Sequence, residues 1–176
     1  MLARHALSTA LLTACAVALL GACASTRAVG PTVPAGPLSF DLLDLDGKSV
    51  SAERDLRGRV VLVDIWATWC TPCEASFPFY AELYRRHQER GFDLVAISVD
   101  AENGEVARFL ERHPVPFKIL RDPGGKVPAM LDAKAMPTAV LLDRDGRVVY
   151  VHAGFESGDQ AEIEAAVQKL LAAAGR

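Results

Sequence analysis

The stretch VLVDIWATWCTPCE, Val61 to Glu74, decides the fold of this chain. It begins as an apolar run that holds one aspartate, and it ends in two cysteines separated by a threonine and a proline. The run follows Gly58, and continuous apolar residues of this kind are typical of a central strand that is buried on both faces. The stretch therefore predicts a buried strand that leads directly into a cysteine pair.

The residues after the cysteines predict a helix from Thr71 to about Arg90. Its apolar positions recur at helical spacing, and Gly91 follows as a stop signal; these positions are Phe77, Tyr80, Leu83 and Tyr84. Pro72 suits the first helical turn, where no N–H is lost, whereas Pro78 is expected to kink the helix. The cysteine pair is thus predicted at the N-terminus of a helix.

Strands and helices alternate along the rest of the folded part. Two short strands are predicted in 38–52 around a turn at 45–48, further strands in 92–100 and 116–122, and two more in 138–152 around a turn at 143–146. Helices are predicted at 104–113 and from Ser157 to about Ala173, with Ser157 and Gln160 in a capping-box pattern. The stretch 123–137 has room for a short helix at most. This order predicts an α/β fold whose mixed sheet is covered on both faces.

The pattern of the first residues predicts an export signal. A basic start, MLARH, precedes an apolar run from Ala6 to Leu20 and the tetrapeptide LGAC, which resembles a bacterial lipobox. We expect a lipoprotein signal peptide over 1–22, a lipidated tether over 23–37 with the lipid on Cys23, and the folded domain over 38–176. An uncleaved membrane helix is the alternative, but the run is short for a span. Both interpretations put the domain on the periplasmic side of the envelope.

Composition and cysteine count exclude several classes. The formal charge is −3, and no basic stripe indicates nucleic acid as a partner. Of the four cysteines, Cys15 lies in the signal peptide and Cys23 at its end, so that Cys70 and Cys73 remain. A chain of 176 residues with 51% hydrophobic residues needs no disulfide framework to fold. We expect no metal and no cofactor.

The position of the pair predicts disulfide exchange. A cysteine must be a thiolate to attack a disulfide, and a helix N-terminus stabilises that anion, although an ordinary cysteine titrates near pH 8.5. Cys70 stands where the strand meets the helix. Cys73 lies one turn further on, close enough to attack a mixed disulfide on Cys70 and release the substrate.

WATWCTPC is similar to the active site of the thioredoxin superfamily, and residues 38–172 resemble the TlpA/ResA-type disulfide reductases of bacterial envelopes. The resemblance implies a thioredoxin-like fold with an N-terminal β-hairpin and a central helix-strand insertion. It makes Cys70 the attacking thiol and Cys73 the resolving thiol, and it gives Met136-Pro137 a cis peptide bond that faces the pair. The implied substrate-binding residues are Trp69, Thr71, Pro72, Met136 and Pro137. The implied partners are disulfide-containing exported proteins and a membrane thiol electron donor.

Asp64 is the acid inside the apolar run. An unpaired carboxylate in a buried strand is costly when ionised, so its pKa should rise. The VDIWA around it matches the VDFWA of thioredoxins, which implies general acid/base help to Cys73. The alternative is a hydrogen-bonded, inert aspartate at a strand end. Trp66 is expected in the core.

One departure from the family concerns the position three residues after the second cysteine. Many TlpA/ResA-like proteins have a glutamate there and an asparagine in the strand, whereas this chain has Ser76 and Asp64. The glutamate belongs to the substrate handling of that subgroup. We therefore expect general thiol exchange and keep a link to cytochrome c maturation as an open question.

Other functions remain as alternatives. A copper-delivery protein on the same fold would use two cysteines and a histidine, but such relatives place three residues between the cysteines, and this chain has two. A disulfide-forming oxidant would use the same pair in the opposite direction. The proline before the second cysteine resembles reducing members, and we expect a reductase, although a dipeptide does not set the potential.

Overall fold

The strand that carries Asp64 is β3 (Val60–Trp66), and all seven of its residues are buried. It lies inside a seven-stranded sheet whose order is β2 (Ser49–Ser51), β1 (Asp41–Asp44), β5 (Lys118–Arg121), β4 (Phe92–Ser98), β3, β6 (Thr138–Leu142) and β7 (Val148–Ala153). β3 pairs parallel with β4 and antiparallel with β6. The computed structural model describes residues 36–173, and within them the prediction of a mixed α/β sheet is confirmed.

The strands are β1 (Asp41–Asp44), β2 (Ser49–Ser51), β3, β4 (Phe92–Ser98), β5 (Lys118–Arg121), β6 (Thr138–Leu142) and β7 (Val148–Ala153). The helices are α1 (Thr71–His87), α2 (Asn103–Arg112), α3 (Lys126–Met130) and α4 (Asp159–Ala173). A π-helical turn, Ala52–Leu56, follows β2. The predicted N-terminal hairpin is β1 with β2, and α2 and β5 form the predicted helix-strand insertion.

Two apolar clusters lie on opposite faces of the sheet, because successive side chains of a strand alternate between the faces. Leu62 and Trp66 of β3 pack on the face covered by α1, α2 and α4. Val63 and Ile65 pack on the other face, beneath the N-terminal segment and α3. Asp64 stands between Val63 and Ile65, so its side chain points to the opposite face of the sheet, the one that α1 covers.

Two helix boundaries differ from the predictions. α1 ends at His87, and the last three predicted helical residues form a 3-10 turn, Gln88–Arg90, that closes at Gly91 with φ 88°. α4 begins at Asp159, not at Ser157, and the bond at its start runs from the Glu156 N–H to Asp159 Oδ2 at 2.6 Å. The first and last residues of a helix depend on single hydrogen bonds, and the residue pattern specifies these positions only weakly. α1 continues through Pro78.

The chain enters the sheet far from the cysteine pair. Pro37 forms a bridge with Arg147, beside the turn that joins β6 to β7, and the Leu38 N–H donates to the carbonyl of Gly146 at 2.8 Å. That turn follows Leu142, which pairs with Val61 near the start of β3. The cysteines follow the other end of β3.

Candidate active site

The cysteine pair lies at the N-terminus of α1. Cys70 is the N-cap residue, and its carbonyl accepts hydrogen bonds from the N–H groups of Cys73 and Glu74, at 3.0 and 3.2 Å. The Cys73 N–H also lies 3.3 Å from Cys70 Sγ and donates to it. Pro72 stands in the first turn, where an N–H has no intrahelical partner. The helix therefore directs a backbone donor at the sulfur that would carry the negative charge.

Cys70 and Cys73 are joined by a disulfide, with their Cα atoms 5.3 Å apart. Cys73 is completely buried, whereas Cys70 is 6% exposed. Of the two sulfurs, that of Cys70 is thus the one nearer to solvent. This is the order that an attacking thiol and a resolving thiol require.

Asp64 is completely buried, and neither of its carboxylate oxygens has a hydrogen-bond partner among the described residues. Burial raises the pKa of this carboxyl to about 8. The alternative of a hydrogen-bonded aspartate does not match this environment, because Asp64 is inside β3 and pairs in register with Ala96 and Ala139. Neither alanine supplies a polar side chain.

Tyr80 adds a second polar group to the same cluster. It is completely buried on α1, and its hydroxyl has no hydrogen-bond partner within residues 36–173. Burial raises the pKa of Tyr80, and the charge of Asp64 raises that pKa further. Ser76, one turn from Tyr80, is also buried and donates its hydroxyl to the carbonyl of Cys73 at 2.8 Å. The face of the sheet beneath α1 therefore holds one buried acid and two buried hydroxyl groups.

Met136-Pro137 has a cis peptide bond. The next residue, Thr138, pairs with Ile65 one position before the end of β3. The carbonyl of Pro137 accepts a hydrogen bond from the Gly154 N–H at 2.7 Å. The cis bond thus lies at the same end of the sheet as the cysteine pair.

The two tryptophans have different environments. Trp66 is fully buried, and its ring lies 4.7 Å from that of Phe77 and 5.0 Å from that of Phe109, which confirms its core position. Trp69 is 67% exposed. A large exposed aromatic ring beside the cysteines suits contact with another protein. Thr71 and Pro72 are exposed as well.

Sequence reasoning missed Asp100, which follows β4 and is 2% exposed. Its carboxylate accepts hydrogen bonds from the backbone and the hydroxyl of Thr68, two residues before Cys70. A signal was present, because parallel strands end at the same edge of a sheet, and a polar residue directly after one strand lies near the residues after its neighbour. The aspartate in AISVD is such a residue.

Residues 36–173 contain no group of three or more His, Cys, Asp or Glu side chains arranged to hold a metal ion. None of their helices is both long and apolar enough to cross a membrane. Cys23 lies outside the described residues.

The sheet order, the cis proline and the disulfide at the start of α1 define a thioredoxin-like protein. The model of the redoxin family matches residues 28–167. Thiol-disulfide oxidoreductase ResA of Bacillus cereus is 33% identical over 124 residues, which cover 70% of this chain and 71% of that protein. ResA of Geobacillus thermodenitrificans is 35% identical over 127 residues, covering 72% and 70% of the two chains.

A crystal structure from Chlorobium tepidum, described as thiol:disulfide interchange protein DsbE, superposes with a TM-score of 0.76 at 34% identity. The match covers 81% of this chain and 99% of that one. The chain belongs to the redoxin family, and within it to the ResA-type thiol-disulfide oxidoreductases.

Proposed function

We propose that this thiol-disulfide oxidoreductase reduces disulfides of exported proteins through Cys70 and Cys73. The observation that carries the proposal is the bonded pair at the start of α1, where Cys70 Sγ accepts the Cys73 N–H. Asp64 on the same face of the sheet is the acid/base group that we assign to the second step.

The reaction balances as two exchanges. The Cys70 thiolate attacks one sulfur of the substrate disulfide, a mixed disulfide forms, and the second substrate sulfur leaves as a thiolate that takes up a proton. Cys73 then gives its proton to the Asp64 carboxylate and attacks Cys70 Sγ, which releases the first substrate sulfur. The product is the Cys70–Cys73 disulfide, and a membrane thiol donor returns the two electrons.

Asp64 suits the second step because its pKa is near 8. A base works best when its pKa is close to the ambient pH, since it then exists in both forms. The same carboxyl can return its proton to a leaving thiolate when the pair is reduced again.

We assign substrate contact to the exposed and backbone groups around the pair. Trp69, Thr71 and Pro72 would contact the protein that carries the disulfide. The backbone of Met136, before Pro137, would pair with an extended segment of it. This pairing would place the substrate sulfur at Cys70, the less buried of the two cysteines.

We place the enzyme on the periplasmic side of the envelope, held by a lipid on Cys23 and a tether over 23–37. The lipobox-like LGAC supports the anchor. The Pro37–Arg147 bridge, away from the cysteines, supports a tether that leaves the active site free. The active site would then face exported proteins. Cytochrome c maturation, which would supply one such substrate, is a more specific form of the same proposal.

Insulin reduction by dithiothreitol tests the activity. The folded domain should accelerate it, Cys70→Ala should abolish the acceleration, and Cys73→Ser should accumulate mixed disulfides because the resolving thiol is gone. Activity that survives in both variants would reject the mechanism. Stoichiometric copper after purification, without reductase activity, would support the copper-delivery alternative.

The direction of the reaction needs a separate measurement. Equilibration of the Cys70–Cys73 pair with glutathione gives its reduction potential. A potential below that of the glutathione couple would support a reductase, and a potential well above it would support the disulfide-forming alternative.

A further inference from the structure

The carboxylate of Asp100 holds the segment that leads into the cysteine pair. The Thr68 N–H lies 3.2 Å from Oδ1 and 3.0 Å from Oδ2, and the Thr68 hydroxyl donates to Oδ1 at 2.8 Å. The hydroxyl of Ser98 donates to Oδ2 at 2.8 Å. Both oxygens are thus engaged by donors, and hydrogen bonds to an ionised acceptor are the strong ones.

Asp100 is itself held from the neighbouring strand. Arg121, at the end of β5, is 8% exposed, and its Nη2 donates to the carbonyls of Asp100 and Ala101 at 2.8 and 3.0 Å. The Asp100 N–H donates to Ser98 Oγ at 3.1 Å. The position of the carboxylate is therefore set by β4 and β5, not by the loop that it binds.

Thr68 is directly coupled to the geometry of Cys70. It lies within a turn in which the Cys70 N–H donates to the carbonyl of Ala67 at 3.1 Å. Cys70 then caps α1 and receives the Cys73 N–H on its sulfur. A shift of Thr68 would rotate this turn and move the sulfur relative to the helix N-terminus.

We propose that Asp100 is a positioning residue for disulfide exchange, which keeps Cys70 Sγ at the N-terminus of α1 by holding Thr68. The thiolate of the reduced enzyme depends on that placement, because the dipole and free N–H groups of a helix act only within its first turn. The carboxylate touches no reacting atom. Its contribution is to orient the loop.

Asp122 provides a matched control. Like Asp100, it is 2% exposed and lies within two residues of the end of a parallel strand, and its carboxylate accepts a backbone N–H, that of Val127 at 2.7 Å. Its carboxylate binds α3, whereas its N–H donates to the carbonyl of Ser98 at 2.8 Å, a backbone bond that Asp122→Asn leaves in place. Neither bond reaches 67–70. Either substitution should therefore lower the stability of the domain. Only Asp100→Asn should also change the titration of Cys70.

The test is the pH dependence of Cys70 alkylation by iodoacetamide in the full chain, reduced beforehand. Asparagine would direct an NH₂ group at groups that are themselves donors, and the loop would move away. We expect the midpoint of the profile to rise by about one pH unit, a tenfold loss of thiolate below the midpoint. The reduction potential of the pair should fall, because the reduced form loses stabilisation. Asp122→Asn should leave both readouts unchanged.

The direction in which the alkylation midpoint shifts distinguishes a positioning effect of Asp100 from an effect of its charge. Removal of a negative charge by itself would stabilise a nearby thiolate and lower the midpoint. A lower midpoint, an unchanged midpoint, or an equal rise in Asp122→Asn would each overturn the proposal. These readouts require no protein substrate, so they are independent of whether the physiological substrate has been assigned correctly.

Thr68 supplies a second pair of variants in case Asp100→Asn does not fold. Thr68→Val removes the hydroxyl donor and keeps the N–H, and it should raise the midpoint by less than Asp100→Asn would. Thr68→Ser keeps the hydroxyl and should restore the profile of the natural chain. Coincident profiles for the valine and serine variants would contradict the role of this contact.

Discussion

At the scale of single residues, Asp64 has the costliest environment in the site. Its carboxyl is fully buried with no hydrogen-bond partner in the described part of the chain, and burial raises its pKa to about 8. A charged carboxylate in such a place destabilises the fold unless it is protonated. A group that is costly to ionise, on the face of the sheet that α1 covers, suits the proton-transfer role proposed for it.

The catalytic consequence can be measured with Asp64→Asn. Asparagine has nearly the same shape and takes no proton, so the resolving step should slow by about a hundredfold. Stopped-flow release of a substrate from a preformed mixed disulfide on Cys70 follows that step directly. The natural protein should show a rate that rises with pH up to about 8, and the variant should lack this rise. An identical pH profile would return Asp64 to a structural role.

The same carboxyl makes a prediction about stability. The folded pKa, about 8, lies above the ordinary value of 3.8. The protonated group therefore contributes its full stability below about pH 4, and this contribution is lost as the pH rises to about 8. Linkage predicts a loss of about 1.4 kcal/mol per pH unit across that window. Urea unfolding of the oxidised domain should show this slope, and Asp64→Asn should flatten it; equal slopes would be evidence against the raised pKa.

At the scale of elements, the end of α1 is set by one glycine. Gly91 closes the 3-10 turn after α1 with φ 88°, in the left-handed region, and its N–H donates to the carbonyl of Gln88. The next residue begins β4, and Asp100 lies two residues beyond the other end of that strand. The turn at Gly91 therefore connects the active-site helix to the strand that supports the active-site loop.

Gly91→Ala should destabilise the domain by about 1–2 kcal/mol, because a side chain is strained at this φ. The added Cβ would also lie 3.1 Å from Nη2 of Arg144, a flexible side chain that can move. Thermal unfolding measures the change. Gly124→Ala is the control, since a Cβ there meets no atom within 4 Å and the backbone is outside the positive-φ region. Equal effects of the two substitutions would show that the conformation of Gly91 is not the cause.

At the scale of the whole molecule, the cysteine pair and the N-terminal segment lie at opposite ends of the sheet. The cysteine pair, the cis proline and Asp100 lie where β3 and β4 end. The N-terminal segment joins the sheet at Arg147, near the start of β3. A tether at that pole would leave the surface around Cys70 free for a protein substrate.

Cys23→Ala tests this arrangement in the native host. It should move the protein from the membrane fraction to the soluble fraction, because the proposed acyl chains are lost. Insulin reduction by the released protein should match that of the domain from 38 to 176. A variant that stays with the membrane would favour an uncleaved span or another anchor, and altered catalysis would show that the tether affects the site.

The residue pattern alone determined the positions of β3 and α1 and the pairing of Cys70 with Cys73. Apolar runs and helical spacing are local properties, and proline and glycine mark where an element begins or ends. Tertiary structure decided which side chains meet. Asp100 is 32 residues from the Thr68 that it binds. Asp64 has no hydrogen-bond partner among residues 36–173, where Ala96 and Ala139 flank it on the adjacent strands. These relations follow from strand order and register, which join residues far apart in the chain.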